Sequence, residues 1–560
     1  MPLKSILSHF PIGSRDRFDD CIFLSIILFI SVVLYVGYIG FYTDDWAFLS
    51  SFITSDQQSV VELFQAQYTD ITRQRPVQIL YWVLLYKLFG LYPLGHHLVN
   101  GLVLILGILL FYLILRELTQ NRLFSLTIPL VYALLPHYST NRFWYAAFPI
   151  VLSMTLYFLS LYSDLKVLNS RPKYFWGWKL LSVISLLGST LCYEVFLPLF
   201  LLNSFVILYR KKKLDSSGST IKFGKDKLAV ILSSNLLALF LVIVFKALIT
   251  TRLGNFVLSK EYVKNLTINA VRVNYGDYVF GLPSILWKIL HQYANPLVVA
   301  VGGVFGLIIL AYLYRVANQS KIELPKWDTM LKLTGLGLAI FGMGYAIFLS
   351  NGNVAFTPTG LGNRTAIAAA VGVAFSLVGG LGWLSNFCGS NYARKRLFCL
   401  LISMLCVSGF LINNTIALFW IGAYSQQLEV LSAIQKHFPT LPAKSTVILD
   451  GVCSYWGPGI IFETNWDMSG GLKVLYRDRT LRGDIVKPEL TVKKDGIFIP
   501  SKSFGDYHYP YKQLLIYNFR QNMSYQLTDE KTARSYFAKF NPSSNNGCPY
   551  GYPDKGTPLF

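Results

Sequence analysis

Charge is scarce in this sequence. Of 560 residues only 14% are Asp, Glu, Lys or Arg, against 53% hydrophobic, and the mean hydropathy is +0.45. That balance excludes one or two ordinary soluble cores and points to a polytopic membrane protein. Cysteine is also scarce. There are seven, scattered and without a CxxC pair, which excludes a disulfide framework and a Cys-based zinc site. No internal repeat and no low-complexity tract occurs. Lys and Arg outnumber Asp and Glu by 50 to 29, yet no basic stretch is interleaved with aromatics outside the apolar runs, so a nucleic-acid partner is not expected.

The positive charge sits instead in short loops between apolar runs, where Lys and Arg set topology. Runs long enough to span a bilayer give about eleven transmembrane helices: 21–41, 96–115, 123–137, 146–163, 178–192, 195–209, 228–249, 291–314, 332–350, 365–386 and 397–422. The basic loops RELTQNR (116–122), KVLNSRPK (166–173), RKKKLDSSGSTIKFGKDK (210–227), YRVANQSKIELPK (314–326) and NYARKR (391–396) then share one side if the N-terminus is cytoplasmic. No small-residue cleavage site follows the first run, so it reads as a retained anchor. The opposite side receives the loop 42–95, the turn 137–145, the junction at Glu194, the loops 250–290 and 351–364, and everything after 423. Two stretches of the first outer loop, SVVELFQAQYTD and PVQILYWVLLYKLFG, read as helices lying along the membrane surface.

The expected organisation is a helical membrane domain, 1–423, followed by a small extracytoplasmic domain, 424–560. Runs such as STVILDG, LKVLY, GIFIP and QLLIYNF, separated by Gly, Asp and Pro, give that tail an α/β or mainly β character. Cys453 and Cys548 both fall in it. They either pair, if the compartment is oxidising, or are unrelated thiols.

Polar groups beside a membrane must find a partner, reach water or line a cavity. YTDDW, directly after the first apolar run, places Asp44 and Asp45 side by side. Their side chains diverge, so one can face a cavity while the other orients it or caps the following helix. TRQRP adds Arg73 and Arg75, GLYPLGHHLVN adds His96 and His97, PHYSTNRFWYAAFP adds His137, Arg142 and Trp144, and CYEVFLP adds Glu194. Each alone is explained by a structural partner. Their accumulation on one face is not.

The order YTDD, RPVQ, LFGLYPLGHHLVN, LLPHYSTNRFWYAAFP, CYEVFLPLFLL resembles the GT-C class of membrane glycosyltransferases, nearest the protein O-mannosyltransferase branch. The likeness covers roughly residues 20–210 and, more faintly, GLGNRTAIAAAVG at 360–372. WYAAFP replaces the GR-D element many relatives carry there, and Leu104 stands where a His is frequent. The resemblance implies a sugar donor on a polyprenyl phosphate, transfer with inversion on the non-cytoplasmic face, and Asp44 as the carboxylate that takes the proton from the acceptor. Asp45 would orient the acceptor or, less in keeping with this branch, help bind a divalent cation; no cofactor or metal is otherwise implied. Arg75, with Arg73 and Arg364 behind it, is the candidate for the leaving phosphate, whose charge a guanidinium matches in geometry. His96, His97, His137, Arg142, Trp144 and Glu194 are candidates for binding substrate, Glu194 alternatively pairing with an Arg.

The implied partners are the lipid-phosphate donor, membrane lipid along segment 77–89, and an acceptor that is a glycan, a lipid or a protein. A bacterial plasma membrane, with the active face towards the periplasm or exterior, suits the topology. The competing readings are a flippase or transporter of lipid-linked sugars and a non-catalytic cell-surface assembly protein. A transporter calls for charge near the middle of several spans. Lys246 is the clear charge inside an apolar run, close enough to its outer end to snorkel. The tail offers no catalytic motif.

Overall fold

The computed structural model describes residues 12–69, 72–119, 121–216, 225–249, 259–319, 324–350, 356–500 and 506–539. In chain order its helices begin with α1 (Ile12–Val33), α2 (Asp44–Ile53), α3 (Val60–Gln67), α4 (Pro76–Phe89), α5 (Pro93–Leu118), α6 (Arg122–Leu134), α7 (Phe148–Asn169), α8 (Pro172–Cys192), α9 (Leu197–Ser216) and α10 (Lys225–Ile249). They continue with α11 (Lys260–Val271), α12 (Leu282–Gln292), α13 (Pro296–Gln319), α14 (Trp327–Tyr345), α15 (Ile367–Ser385) and α16 (Asn391–His437). Large apolar side chains such as Leu102, Phe205, Phe240 and Leu307 are exposed on these helices. A bilayer, not water, is the solvent that accommodates such faces.

Eight helices among the described residues are long and apolar enough to cross a membrane, and each coincides with an expected span. The other three expected spans differ, each for a visible reason. The run at 21–41 is helical only to Val33; the glycines at 37 and 40 follow, and 34–43 is turn and irregular chain. Helix α6 has 13 residues, carries Pro129 inside it, and is buried along its whole length. Helix α9 is apolar at its start but runs on into the charged stretch from Arg210. The two stretches expected as surface helices are helical, as α3 and α4.

Small residues set the tightest helix pair. A β-carbon on Gly337 would lie 2.4 Å from the Ser376 amide nitrogen, and one on Gly372 would lie 2.2 Å from that of Phe341. Backbone therefore packs on backbone between α14 and α15, the arrangement that replaces the hydrophobic effect inside a bilayer. This contact fixes the entry to α15, where Arg364 sits.

Buried ion pairs mark one end of the bundle. Asp20, fully buried, accepts from Arg122 Nη2 at 2.8 Å, from the Tyr112 hydroxyl at 2.6 Å and from Tyr312 at 2.8 Å. Glu117 meets Lys166 at 2.7 Å and Arg17 at 3.2 Å. Of the candidate site residues, His96 and His97 sit at the opposite end of α5, and His137, Arg142 and Trp144 join the opposite ends of α6 and α7.

The tail is α/β. A sheet in the order β4-β1-β8-β9 has β1 (Thr446–Asp450) parallel to both β4 (Arg482–Ile485) and β8 (Leu514–Asn518), with β9 (Met523–Leu527) antiparallel to β8. The helix α17 (Asn465–Tyr476) is the crossover between β1 and β4, as a parallel pair requires. A hairpin of β2 (Tyr455–Trp456) and β3 (Gly459–Ile460), an antiparallel sheet of β5 (Thr491–Lys493), β6 (Gly496–Ile499) and β7 (Tyr507–Pro510), and α18 (Glu530–Lys539) complete it. LKVLY, expected as a strand, forms the end of α17. A capping box between Thr464 and Asp467 starts the helix there, and local capping outweighs β-branched content. Cys453 is disulfide-bonded; Cys548 lies outside the described residues.

Residue 424 is not a break in the chain's structure. It lies within α16, whose 47 residues extend roughly 70 Å and carry the membrane span out into the tail. Val447, Leu449, Phe462, Met468 and Leu472 belong to the same buried cluster as the bundle.

Candidate functional site

The segment 40–43 is pinned before α2 begins. Gly40 packs under the Tyr424 ring and gives its carbonyl to His97 Nε2 at 3.1 Å, while the Tyr42 hydroxyl donates to the Trp420 carbonyl at 2.8 Å. Thr43 is held at φ 43°, a conformation that costs a β-branched residue free energy and persists only where the surroundings impose it. The consequence is the divergence of the two acids. Asp45 is fully buried and accepts from the Tyr42 amide and the Ala146 amide, both at 2.8 Å. Asp44 is half-buried and faces a cavity of about 1630 Å³.

That cavity lies between the segment 43–72 and the tail. Thr43, Asp44, Phe48, Thr69 and Thr72 form one wall; Glu463, Trp466, Lys473, Arg482 and Tyr509 form much of the other. Burial raises the Asp44 carboxyl, Arg364 opposes this, and Glu463 adds to it. A carboxylate tuned upward in this way is a better proton acceptor than an exposed one. Arg364 places its guanidinium 5.1 Å from the Trp144 ring centre, so one face of this candidate substrate-binding indole is occupied by a cation.

A second cluster adjoins the first through one turn of chain. Thr72 lines the cavity, and its carbonyl accepts from the Arg75 amide at 2.8 Å. Arg75 grips Glu194 with both ends of its fork, Nε to Oε2 at 3.0 Å and Nη2 to Oε1, and lies 4.0 Å over the Tyr193 ring. Lys246 Nζ reaches the same carboxylate at 3.4 Å and the Gln74 carbonyl at 3.1 Å. Burial pushes the Glu194 carboxyl up, but Arg75 and Lys246 outweigh it and hold it well below the usual range. Two basic side chains thus converge on one carboxylate.

Several expected site residues are elsewhere. Asp45 is turned to backbone amides and away from the cavity, so it anchors the turn 145–147 to α2; the role of orienting an acceptor does not fit a carboxylate with no exposed surface. His96 bonds the Gly90 carbonyl at 3.0 Å, His97 that of Gly40, and His137 that of Asn274 at 2.9 Å. All three are buried, and none lines the cavity. Arg142 is buried too, bonded to the Ala133 carbonyl and lying 5.8 Å from the Tyr138 ring centre. Arg73 is half-buried in the turn before Arg75. These groups hold segments together because buried backbone carbonyls need donors.

The sequence reading missed Lys246 as a site residue, although a charge inside an apolar run was its signal. It missed Glu463, Lys473 and Arg482 altogether. Only α17 packing on α2 brings them to Asp44. Among the described residues no three His, Cys, Asp or Glu side chains converge as metal ligands do.

No protein-family profile matches the sequence, and no curated protein matches it. Among solved structures, ArnT from Cupriavidus metallidurans bound to undecaprenyl phosphate is similar at 12% identity over 82% of this chain and 84% of that one, with a TM-score of 0.34. The Archaeoglobus fulgidus oligosaccharyltransferase in the apo form gives 12% identity over 77% and 62%, with a TM-score of 0.38. AglB of the same organism, in complex with an inhibitory peptide and a dolichol-phosphate, gives 14% over 82% and 64%, with a TM-score of 0.36. The chain thus covers less than two thirds of the archaeal enzyme's length. Likeness this weak carries no argument about activity, which has to be argued from the site.

Proposed function

We propose that this protein is a membrane glycosyltransferase of the GT-C type, which moves a sugar from a polyprenyl-phosphate donor to an acceptor hydroxyl with inversion. The observation that carries the reading is Asp44: a half-buried carboxylate, raised by burial and steadied by Arg364, at the wall of a large cavity. It takes the acceptor proton as that oxygen attacks the anomeric carbon from the side opposite the phosphate. The departing lipid phosphate gains negative charge, which Arg75 and Lys246 are placed to offset. Glu194 holds both cations in position until the phosphate arrives.

In this reading the cavity opens on the non-cytoplasmic face of a plasma membrane, the N-terminus is cytoplasmic, and α4 borders the path of the lipid chain. The nearest branch is that of the protein O-mannosyltransferases, on the sequence order given above, and the transferred sugar is a hexose. The decisive experiment is transfer from a polyprenyl-phosphate hexose by purified protein and by Asp44→Asn. Full activity in the variant would refute the mechanism. For topology, a cysteine at exposed Asp56 should react with an impermeant label only from outside the cell.

A further inference from the structure

The face of α17 that lines the cavity is polar. Trp466, Ser469, Gly470 and Lys473 all line it, spaced three, four and seven residues apart, so one helical stripe faces the space. Strand β4 is drawn onto this helix at Gly483, where a β-carbon would lie 2.7 Å from Met468 Cγ. Ser469 Oγ clasps it, donating to the Gly483 carbonyl at 2.9 Å and accepting from its amide at 2.8 Å. The clasp delivers Arg482, the first residue of β4, to the same wall as Lys473.

Neither cation has a carboxylate partner among the described residues, in contrast to Arg479 beside them, which meets Asp56 at 2.9 Å. Burial and the nearby Arg482 charge lower the Lys473 ammonium, as two adjoining cations without a counter-ion require. Two cations that meet no carboxylate at ion-pair distance are matched by one phosphomonoester, with its charge of about −1.5 to −2 and three acceptor oxygens, better than by a single carboxylate.

We propose that Lys473 and Arg482 form an acceptor subsite for a phosphomonoester, so that the acceptor is a phosphorylated glycan or lipid headgroup. The inference rests on the glycosyltransferase reading for the word acceptor, and on the cavity alone for the phosphate. Glu463, which acts on Asp44, precedes the N-cap of α17, and Lys473 lies more than two turns into that helix. The phosphate subsite is therefore separate from the reacting hydroxyl, on the same cavity wall.

Calorimetry on the full-length protein in detergent, with glucose 6-phosphate and glucose as probes, tests the subsite without any turnover. The native protein and Asp44→Asn should bind the phosphate ester and bind glucose at least tenfold more weakly. Lys473→Gln/Arg482→Gln should lose at least tenfold in affinity for the ester. Arg482→Glu alone, at an exposed position, should do the same and guards against misfolding of the double variant. No binding by the native protein, or equal binding by the variants, overturns the proposal. In the transfer assay the variants should raise the KM for a phosphorylated acceptor and leave that for the lipid donor unchanged. A rise for the donor alone would assign the pair to the lipid phosphate and overturn it too. Phosphate binding that survives while transfer is absent would remove the glycosyltransferase reading and leave the subsite standing.

Discussion

Gly470 lies directly on the backbone of Trp46: a β-carbon there would come within 2.4 Å of the Trp46 carbonyl carbon. The contact joins the tail to the helix that carries Asp44, and Trp46 Nε1 strengthens it by donating to Gln427 Oε1 at 3.2 Å. Gly470→Ala should destabilise the protein by about 1–3 kcal/mol, the usual cost of overpacking, and reduce transfer. Thermal melting in detergent reads the first. An unchanged melting temperature would mean that the two helices do not meet this closely.

The two adjacent acids should separate cleanly. Asp44→Asn should lower turnover by about 10²- to 10⁴-fold, the range for a lost general base, with little change in melting. Asp45→Asn should cost about 1–3 kcal/mol of stability, because its amide group opposes two buried N–H donors with one acceptor. If the melting losses were reversed between the variants, the assignment of the two roles would fail.

Turnover should fall on the acid side as Asp44 takes up a proton, with a midpoint above the ordinary Asp value of about 3.9. Arg364 opposes the rise and Glu463 contributes to it. Arg364→Gln should therefore move the acid limb to higher pH, and Glu463→Gln to lower pH. Shifts of the same sign in both variants would contradict the geometry.

Arg75→Lys keeps the charge but loses the fork. Losing one charge-assisted hydrogen bond, about 1.5 kcal/mol, corresponds to about a tenfold rise in the KM for the lipid-phosphate donor. The acceptor KM should not move. Equal rises for both substrates would indicate general disorder of the turn.

Thr43→Gly should raise the melting temperature, because glycine adopts φ 43° without the cost of roughly 1 kcal/mol or more that a β-branched residue bears. The same freedom should lower turnover by loosening Asp44. A glycine variant that melts lower would show that the threonine side chain contributes more than its backbone costs.

Much of the architecture follows from the sequence, because span length and the placement of Lys and Arg obey the thickness and charge preference of a bilayer. Eight spans, the helices α3 and α4, the α/β tail and the divergence of Asp44 from Asp45 are legible in this way. The helix end at Val33 and the strand-like LKVLY that became helix are less so, since glycines and a capping box compete there with apolar content. What the tertiary structure alone decided is which polar groups share a space. His96, His97 and His137 look like ligands in the sequence and are consumed by backbone carbonyls. Glu463, Lys473 and Arg482 look like ordinary surface charge, more than four hundred residues from Asp44. They reach its cavity because Gly470 lets two backbones touch, a packing event with no local signature.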